Sequence, residues 1–216
     1  MSALSAAEYD AWYTSERGAW IGEVEYQLLL DLLQPQAGNS LLDVGCGTGW
    51  FTRRFAQIDD LRVTGVDIDQ NWLDYARQHD PLSTYLRADA CTLPFADKSF
   101  DHSVSVTALC FIDDWPLAIQ EIIRVTRSRF VIALLNRNSL LWREKAQDGG
   151  EGGYRGAHWH SIDELRQVLE ALPVQQVKYQ SAIFLPSGSL EARQAEALLS
   201  NDLKWGSFLV VSGITQ

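Results

Sequence analysis

The sequence predicts an α/β fold in which a mostly parallel sheet carries helices on both faces. Short apolar runs typical of buried strands alternate with amphipathic segments typical of helices. The clearest unit is LLDVGCGTGWF at residues 41–51, where an apolar run leads through a glycine-rich turn into a helical pattern. With 216 residues, the chain is long enough for one domain with a complete core. We therefore expect a single domain over residues 1–216.

The composition argues against several classes of protein. Hydrophobic residues make up 46% and charged residues 21% of the chain, as in ordinary globular domains. The formal net charge of −10 repels phosphate backbones, so we expect no nucleic-acid partner. The three cysteines lack C-x-x-C spacing, the first residues lack the features of a signal peptide, and no apolar run approaches the ~18 residues of a spanning helix. These features predict a reduced, cytoplasmic protein without a membrane span, and they leave its oligomeric state open.

Residues 1–38 are predicted to form a helical cap. Residues 6–20 are polar and aromatic, and Tyr9 and Tyr13 lie in this stretch. EVEYQLLLDLL, residues 23–33, has the periodicity of an amphipathic helix that ends before a proline. Aromatic side chains in such a cap are equally expected to pack in the core.

The glycine-rich turn has the features of a ligand-binding loop. Gly45, Gly47 and Gly49 alternate with other residues, and glycine permits a positive φ and a close approach of a ligand to the main chain. The helix start that follows offers unpaired N–H groups, and Asp43 is expected to face the same mouth. The dinucleotide fingerprint G-x-G-x-x-G has a different spacing, which argues against a dinucleotide site. A simple tight turn is the other alternative.

This loop resembles motif I of the class I S-adenosylmethionine-dependent methyltransferases, in which an acid stands two residues ahead of alternating glycines. The resemblance implies a Rossmann-like sheet of seven strands and S-adenosylmethionine as the cofactor, with the loop wrapped around its methionine end. It also implies a mobile N-terminal segment with an aromatic hydroxyl near the cofactor, for which Tyr9 and Tyr13 are candidates. At motif I, the expected cofactor-binding residues are Asp43, Gly45, Cys46, Gly47 and Gly49.

The second predicted strand, residues 61–67, ends in an acid. Asp67 lies about twenty residues after the glycine loop, where nucleotide-binding folds place a carboxylate for the ribose. One carboxylate can accept from both cis hydroxyls of a ribose, so we assign Asp67 and its neighbour Ile68 to the cofactor site. The alternative for Asp67 is an N-cap of the predicted helix at residues 71–78, for which Asp69 is better placed.

A third, short strand closes at residues 87–90. In the family that the sequence resembles, the acid at this point accepts from the adenine amino group. The main-chain N–H of the next residue meets a ring nitrogen. The resemblance therefore implies these roles for Asp89 and Ala90, and a turn-forming aspartate is the alternative.

LPFADKSFD, residues 93–101, closely matches the L-P-F-x-D-x-S-F-D motif that precedes strand four of small-molecule methyltransferases. By this long match the chain is identified as a member of the class I family. Strand four is expected over residues 101–109. Residues 107–111, beginning with Thr107, should line the place where methyl donor and acceptor meet. The cofactor-binding half would then cover residues 39–135.

The remaining elements complete the predicted sheet. A capping box of Ser161 and Glu164 starts the last predicted helix. The last two strands are expected to form an antiparallel pair, joined by a long segment at residues 188–205. We expect helices over residues 114–126 and 161–172, and strands over residues 130–135, 174–184 and 208–212. The C-terminal part of the domain is expected to cover residues 161–216.

An insertion at residues 136–160 separates strand five from the capped helix. Its glycine run at residues 149–153 precedes aromatic residues, which is typical of a mobile lid, although Trp159 would pack in the core of an ordinary loop. His158 and His160 are the candidate catalytic bases, with an ordinary surface role as the alternative. A third ligand at a recognised spacing is missing, so we expect no metal site.

The resemblance implies transfer of a methyl group from S-adenosylmethionine to an unidentified, small-molecule acceptor by in-line displacement. Because the sulfonium donor is already activated, the protein mainly has to align and desolvate the two reactants. Two other classes remain, a non-catalytic S-adenosylmethionine-binding protein and an NAD(P)-dependent oxidoreductase with the same strand, loop and acid. The glycine spacing and the LPFADKSFD segment argue against the oxidoreductase.

Overall fold

The structure is a computed structural model that describes residues 5–216. This part of the chain contains eight α-helices and seven strands. In chain order they are α1 (Ala6–Trp12), α2 (Glu16–Leu33), β1 (Ser40–Val44), α3 (Trp50–Phe55), β2 (Arg62–Asp67), α4 (Gln70–His79), β3 (Thr84–Arg87), β4 (Phe100–Val106), α5 (Trp115–Val125), β5 (Thr126–Leu135), α6 (Leu140–Lys145), α7 (Ile162–Glu170), β6 (Val174–Ala182), α8 (Leu190–Leu198) and β7 (Phe208–Thr215).

The strands form one sheet in the order β3-β2-β1-β4-β5-β7-β6. The strands β1 to β5 pair in parallel, and β7 runs antiparallel to both of its neighbours. The chain changes direction across the sheet between β1 and β4, so a crevice opens at their carboxyl ends, where open α/β sheets bind ligands. The predicted Rossmann-like, mostly parallel sheet of seven strands is confirmed.

Apolar side chains cover both faces of this sheet. On one face, Leu29 and Leu33 of α2 and Phe55 of α3 are fully buried. On the other face, Ile122 of α5 and Leu165 of α7 are fully buried. Helices therefore flank the sheet on both sides, as the sequence predicts.

Several helix starts follow the capping residues seen in the sequence. The Asp69 carboxylate accepts from the Asn71 N–H at 2.8 Å and caps α4. Asp114 caps α5, which has proline in its first turn. Ser161 and Glu164 form the predicted capping box of α7. Local hydrogen bonding thus sets these boundaries.

β4 is shorter than predicted and ends at Val106. Thr107 takes a left-handed conformation with a φ of 55°, and its N–H donates to the carbonyl of Ala133 at 2.8 Å. A short 3₁₀ helix, Ala108–Phe111, follows. The other strand ends move by a few residues: β5 begins at Thr126, β6 ends at Ala182, and β7 continues to Thr215.

Helix α8 lies in the segment at residues 188–205, for which the sequence predicts no element. Leu190 and Leu198 of α8 expose 67% and 86% of their surface. The leucines of α8 therefore do not follow the periodic pattern by which a sequence indicates a buried helix face. The signal that could have revealed it is Ser189, whose Oγ accepts from the Ala192 N–H at 3.3 Å as an N-cap.

The predicted helical cap consists of α1 and α2, and residues 1–4 lie outside the described part of the chain. The helix predicted at residues 23–33 begins earlier, because the Ser15 Oγ accepts from the Gly18 N–H at 3.0 Å and caps α2. The insertion contains α6 and two 3₁₀ turns, Gln147–Gly149 and Gly152–Tyr154. Within residues 5–216, every helix is too short or too polar to cross a bilayer.

Candidate active site

The glycine loop lies between the carboxyl end of β1 and the start of α3. The N–H groups of Gly45 and Cys46 both donate to the carbonyl of Val66, at 2.8 and 2.9 Å, which ties the loop to the end of β2. Gly45 has a φ of 75°, and a Cβ there would overlap the Cβ of Ala108, which follows β4. The loop thus joins the ends of three neighbouring strands at the crevice.

Cys46 belongs to this loop through its backbone. Its thiol points towards β2, where a Cβ on Gly65 would come within 2.9 Å of the Sγ atom. Burial, and the nearby carboxylates of Asp43 and Asp67, raise the pKa of the Cys46 thiol well above its ordinary value. The thiol is therefore neutral and serves as a packing group beneath the loop.

The Asp67 carboxylate borders the crevice on the side of β2. Its Oδ2 accepts from the Gly47 N–H at 2.8 Å, and its Oδ1 accepts from the Asp69 N–H at 2.9 Å. Each oxygen keeps acceptor capacity for a further donor, such as a ribose hydroxyl. Burial raises the pKa of Asp67. Because Asp69 is the N-cap of α4, Asp67 is not the capping residue.

Asp43, the acid ahead of the loop, is only 2% exposed. The Thr52 Oγ1 donates to its Oδ2 at 2.6 Å, so the carboxyl is enclosed between the loop and α3. The prediction that Asp43 faces the mouth of the site is therefore wrong, because burial and this hydrogen bond turn the carboxyl inwards. Burial raises the pKa of Asp43 to about 7, the bond from Thr52 lowers it, and the charge of Asp67 raises it further. Asp43 therefore supports the loop from beneath in this structure.

We expect an Asp43→Asn variant to gain stability relative to the wild type as the pH rises. Aspartate in the unfolded chain loses its proton near pH 3.8, whereas folded Asp43 keeps its proton to about pH 7. Between these values the folded wild type binds more protons than the unfolded chain, so its free energy of unfolding falls as the pH rises. Asparagine does not titrate. Melting temperatures of both proteins without cofactor, at about pH 5 and about pH 8.5, test this expectation. A difference that stays constant with pH would contradict it.

Asp89 follows β3 and forms a turn. Its Oδ1 accepts from the Cys91 N–H at 2.9 Å, and its carbonyl accepts from the Thr92 N–H at 3.0 Å. The turn-forming role given as the alternative is thus present. Within residues 5–216, the Oδ2 of Asp89 has no hydrogen-bond partner. The contact of this carboxylate with adenine stays a prediction.

The segment after β3 runs beside the end of β2. The Ala88 N–H donates to the carbonyl of Asp67 at 3.0 Å. Within residues 5–216, the N–H of Ala90 donates to no protein acceptor. The Ile68 side chain exposes 61% of its surface at the same edge. A free N–H close to an exposed apolar side chain suits a planar heterocycle.

Helix α1 lies across the glycine loop, held by an ion pair that the sequence does not predict. Both carboxylate oxygens of Asp10 accept from the Arg53 guanidinium, at 2.6 and 2.8 Å, and the Thr48 Oγ1 donates to Asp10 at 2.9 Å. Arg53 also donates to the carbonyl of Thr48 at 2.9 Å. One buried carboxylate therefore fixes the N-terminal helix to both the loop and α3. The signal in the sequence was an acid within an aromatic stretch.

The same helix and the turn after it bring Tyr9 and Tyr13 to the loop. The Tyr9 ring contacts Trp72 with centroids 4.9 Å apart, and Tyr13 stacks on Trp50 with centroids 4.1 Å apart. Trp72 in turn lies against Gly47. Burial raises the pKa of both tyrosines, so their hydroxyls stay protonated near neutral pH. Their contact with the cofactor stays a prediction.

The two candidate bases differ in environment. His158 is half exposed, and its Nε2 lies 3.1 Å from the Asp113 Oδ1. His160 is buried against Trp115, with ring centroids 4.7 Å apart, and its Nε2 has no partner within residues 5–216. Burial lowers the pKa of His160 to about 4, which makes it a weak base at neutral pH. His158 is therefore the better candidate for a catalytic base.

In the described chain, no three His, Cys, Asp or Glu side chains are grouped to hold a metal ion.

Comparisons with known proteins agree on the type of domain. A family model described as a methyltransferase domain matches residues 42–133. A malonyl-[acyl-carrier protein] O-methyltransferase of Serratia marcescens is 32% identical over 180 residues, which are 83% of this chain and 64% of that protein. An O-methyltransferase of Penicillium expansum is 40% identical over 109 residues, which are 47% of this chain and 40% of that protein. The chain thus spans less than two thirds of the length of these relatives.

A solved structure shares the fold over almost its whole length. It is a protein of Thermotoga maritima described as a SAM-dependent methyltransferase and possible histamine N-methyltransferase. It is 25% identical with a TM-score of 0.77, and the match covers 97% of this chain and 96% of that one. Together with the alternating glycine loop and the order of the seven strands, these similarities identify a methyltransferase domain of the class I, S-adenosylmethionine-dependent type in this chain.

Proposed function

We propose that the chain transfers a methyl group from S-adenosylmethionine to a small-molecule acceptor by in-line displacement. The observation that supports this most is the bridge between the glycine loop and β2. The Gly47 N–H donates to Asp67 and leaves acceptor capacity on both carboxylate oxygens. A main-chain cradle and a ribose-binding acid therefore meet in one crevice, which is the combination that this cofactor needs.

The residues of the crevice fit S-adenosylmethionine along its length. The loop at residues 45–49 would hold the methionine end, and Asp67 would accept from the ribose hydroxyls. Asp89 would accept from the adenine amino group, and the N–H of Ala90 would donate to the ring, with Ile68 beside it. When bound, the cofactor supplies a methyl group on a sulfonium sulfur, which is an activated leaving group.

The chain itself has to align the reactants and exclude water. The Asp10–Arg53 pair holds α1 over the loop, where the helix would shield a bound cofactor from solvent. Thr107 and the 3₁₀ helix Ala108–Phe111 approach from the end of β4, where the acceptor would lie next to the methyl group. His158 lies near this 3₁₀ helix, since the backbone N–H of His158 donates to the carbonyl of Cys110 at 2.6 Å.

The acceptor and the cellular location are part of the proposal. The Serratia and Penicillium relatives are named O-methyltransferases, and the Thermotoga protein is described as a possible N-methyltransferase, so similarity does not decide which atom is methylated. The net charge of −10 opposes a nucleic-acid acceptor. The free thiols of Cys46, Cys91 and Cys110 support a reducing, cytoplasmic location.

Calorimetry on purified, cofactor-stripped protein tests the proposal. We expect binding of S-adenosylmethionine and S-adenosylhomocysteine and none of NAD. The Asp67→Ala change should weaken binding of both adenosyl ligands about ten- to a hundred-fold, because a hydrogen bond to a charged group contributes about 1.5–3 kcal/mol. Asp69→Ala is the matched control. It removes a carboxylate two residues away that caps α4, so it should lower stability and leave affinity unchanged.

Each alternative class predicts a different result. Affinity for NAD with no response to either adenosyl ligand would indicate an oxidoreductase. Binding of S-adenosylmethionine without formation of S-adenosylhomocysteine, across amine, phenol and acid acceptors, would indicate a non-catalytic binding protein. Unchanged affinity in a folded Asp67→Ala protein would show that the ribose lies elsewhere.

A further inference from the structure

Helix α2 carries an acidic residue within its buried face. This helix packs against β5, β6 and β7, and Ile21, Leu28 and Leu29 on the packed face are buried. Glu25 is four residues from Ile21 and Leu29 and three from Leu28, so it lies on the same face, between them. An apolar residue is expected at such a position, because a carboxylate is stabilised by water.

Glu25 also differs from the other acids of α2, because Glu16 and Glu23 have partners and Asp31 is exposed to solvent. Glu23 pairs with Arg54 at 2.6 Å, and Glu16 pairs with Arg193 at 2.9 Å. Within residues 5–216, the Glu25 carboxylate forms neither a hydrogen bond nor an ion pair. Burial raises its pKa to about 8. A partly buried, unpaired carboxylate lowers stability, so its presence on this face points to a role in binding.

Three tyrosines are within range of the charge of this carboxylate. Gly22, one turn before Glu25 on the same face, lies against Tyr13, since a Cβ on Gly22 would come within 3.0 Å of that ring. Burial is the main cause of the raised pKa of the Tyr9, Tyr13 and Tyr154 hydroxyls, and the Glu25 charge raises each of these pKa values further. Tyr9 and Tyr13 border the glycine loop, and Tyr154 comes from the insertion. The Glu25 charge therefore acts on residues next to the cofactor loop and on one residue of the insertion.

We propose that Glu25 binds a protonated amine of the methyl acceptor and takes up its proton, so that the acceptor is a cationic amine. This inference rests on the proposed function and names the substrate class of that site. An ammonium group would make an ionic hydrogen bond to Glu25 and contact the tyrosine rings, and both interactions recognise cations. Arg17, on the same helix, donates from its Nε to the carbonyl of Pro186 at 2.6 Å, and within residues 5–216 it forms no ion pair with Glu25.

The proton balance makes Glu25 a catalytic residue in this scheme. The charge of the bound ammonium favours the ionised form of Glu25, so the carboxyl gives its own proton to solvent when the amine binds. A protonated amine has no free electron pair, so its proton first moves to the Glu25 carboxylate and leaves a neutral amine. The nitrogen then forms a bond to the methyl carbon while the carbon–sulfur bond breaks, and that electron pair stays on sulfur. The products are the methylated ammonium and S-adenosylhomocysteine, and Glu25 releases its proton to solvent. A carboxyl that titrates near neutral pH suits such a base.

Matched pairs of ligands test the proposal by calorimetry on protein loaded with S-adenosylhomocysteine. Phenethylamine is compared with 2-phenylethanol, and tryptamine with tryptophol, because each pair differs in the amine alone. We expect the wild type to bind the amines more tightly than the alcohols. Glu25→Gln should weaken amine binding about ten- to a hundred-fold and leave the affinity for S-adenosylhomocysteine unchanged. Glu23→Gln makes the same chemical change on the exposed face of α2 and should change neither affinity.

Three results would overturn the proposal while the proposed function stands. Weaker binding of S-adenosylhomocysteine by Glu25→Gln would show that the carboxylate serves the cofactor. Equal binding of amines and alcohols, or no binding of either amine, would show that the site does not select a cation. In contrast, a wild type that binds neither adenosyl ligand would refute the proposed function itself.

A second variant separates binding from structure. Glu25→Leu extends the apolar face of α2, so we expect a higher melting temperature together with loss of amine binding. A lower melting temperature would show that the carboxylate stabilises the fold, and would also overturn the proposal.

Discussion

A folded Gly47→Val protein should show no measurable affinity for S-adenosylmethionine or S-adenosylhomocysteine. Gly47 has a φ of 55°, a conformation that a β-branched residue adopts only with strain. A Cβ at this position would lie 3.1 Å from the Trp72 ring, and the valine methyls would extend into the space that we assign to the cofactor. The N–H of the same residue donates to Asp67, so a shift of the loop would also break the bridge to β2.

Calorimetry with S-adenosylhomocysteine, with circular dichroism as a check of folding, measures this effect. We expect a loss of more than about a hundred-fold, larger than the loss in Asp67→Ala, because both the space and the bridge are removed. Gly38→Val is the matched control, since Gly38 also has a positive φ, 82°, and precedes β1 at the end away from the glycine loop. It should bind as the wild type does. Full affinity in a folded Gly47→Val protein would exclude the loop from the cofactor site.

The LPFADKSFD segment, which identified the family in the sequence, has a structural role in the fold. The Arg124 guanidinium of α5 donates to the carbonyl of Leu93 at 3.1 Å and to the Asp97 carboxylate at 2.8 Å. The N–H and Oγ of Ser40 donate to the Asp101 Oδ2 at 2.9 and 2.8 Å. These contacts fix the path from β3 to β4, and so they set the position of the turn at Asp89 relative to the rest of the crevice.

Most of the sheet and of the cofactor half could be predicted because the signals are local. The apolar run, glycine turn and helix start of residues 41–51 follow one another directly, and each cap lies next to the helix that it starts. Helix α8 escaped prediction because its leucines are exposed and give no buried stripe. The end of β4 was placed too late because the left-handed turn at Thr107 depends on its bond to Ala133, in the neighbouring strand.

The parts of the site that the sequence did not reveal depend on contacts between distant segments. Asp10 and Arg53 are 43 positions apart, and neither has a spacing that indicates a pair. Glu25 is an ordinary polar position in the sequence of α2, and only the packing of that helix on the sheet shows that it lies among buried residues. His158 and His160 are equivalent in the sequence, and only burial separates the half-exposed base candidate from the buried, weakly basic one.

Trp159→Ala is expected to cause the largest loss of stability. The Trp159 side chain is only 7% exposed and belongs to the same core as Leu165 of α7, and Tyr154 packs against it with ring centroids 5.6 Å apart. Removal of a buried tryptophan leaves a cavity and lowers the free energy of unfolding by about 3–5 kcal/mol. The sequence allowed Trp159 to belong either to a lid or to the core, and its burial favours the core.

The backbone on both sides of Trp159 supports this assignment. The His158 N–H donates to the carbonyl of Cys110 at 2.6 Å, and the His160 N–H donates to the carbonyl of Leu135 at 2.8 Å. A lid function, which stays a prediction, would therefore be confined to the mostly exposed residues 149–157. Hydrogen exchange in this range should be fast in the free protein and slower with cofactor bound, if the segment closes over the site.

Thermal unfolding without cofactor decides the role of Trp159. We expect Trp159→Ala to lower the melting temperature far more than Trp205→Ala, since Trp205 is 37% exposed and its removal leaves a smaller cavity. Methyl transfer and cofactor affinity should then fall together, in proportion to the unfolded fraction. An unchanged melting temperature with methyl transfer reduced more than cofactor affinity would instead place Trp159 against the acceptor. In that case the burial of Trp159 in the free protein would correspond to a closed lid. The backbone hydrogen bond between His160 and Leu135 would then mark the hinge of that lid.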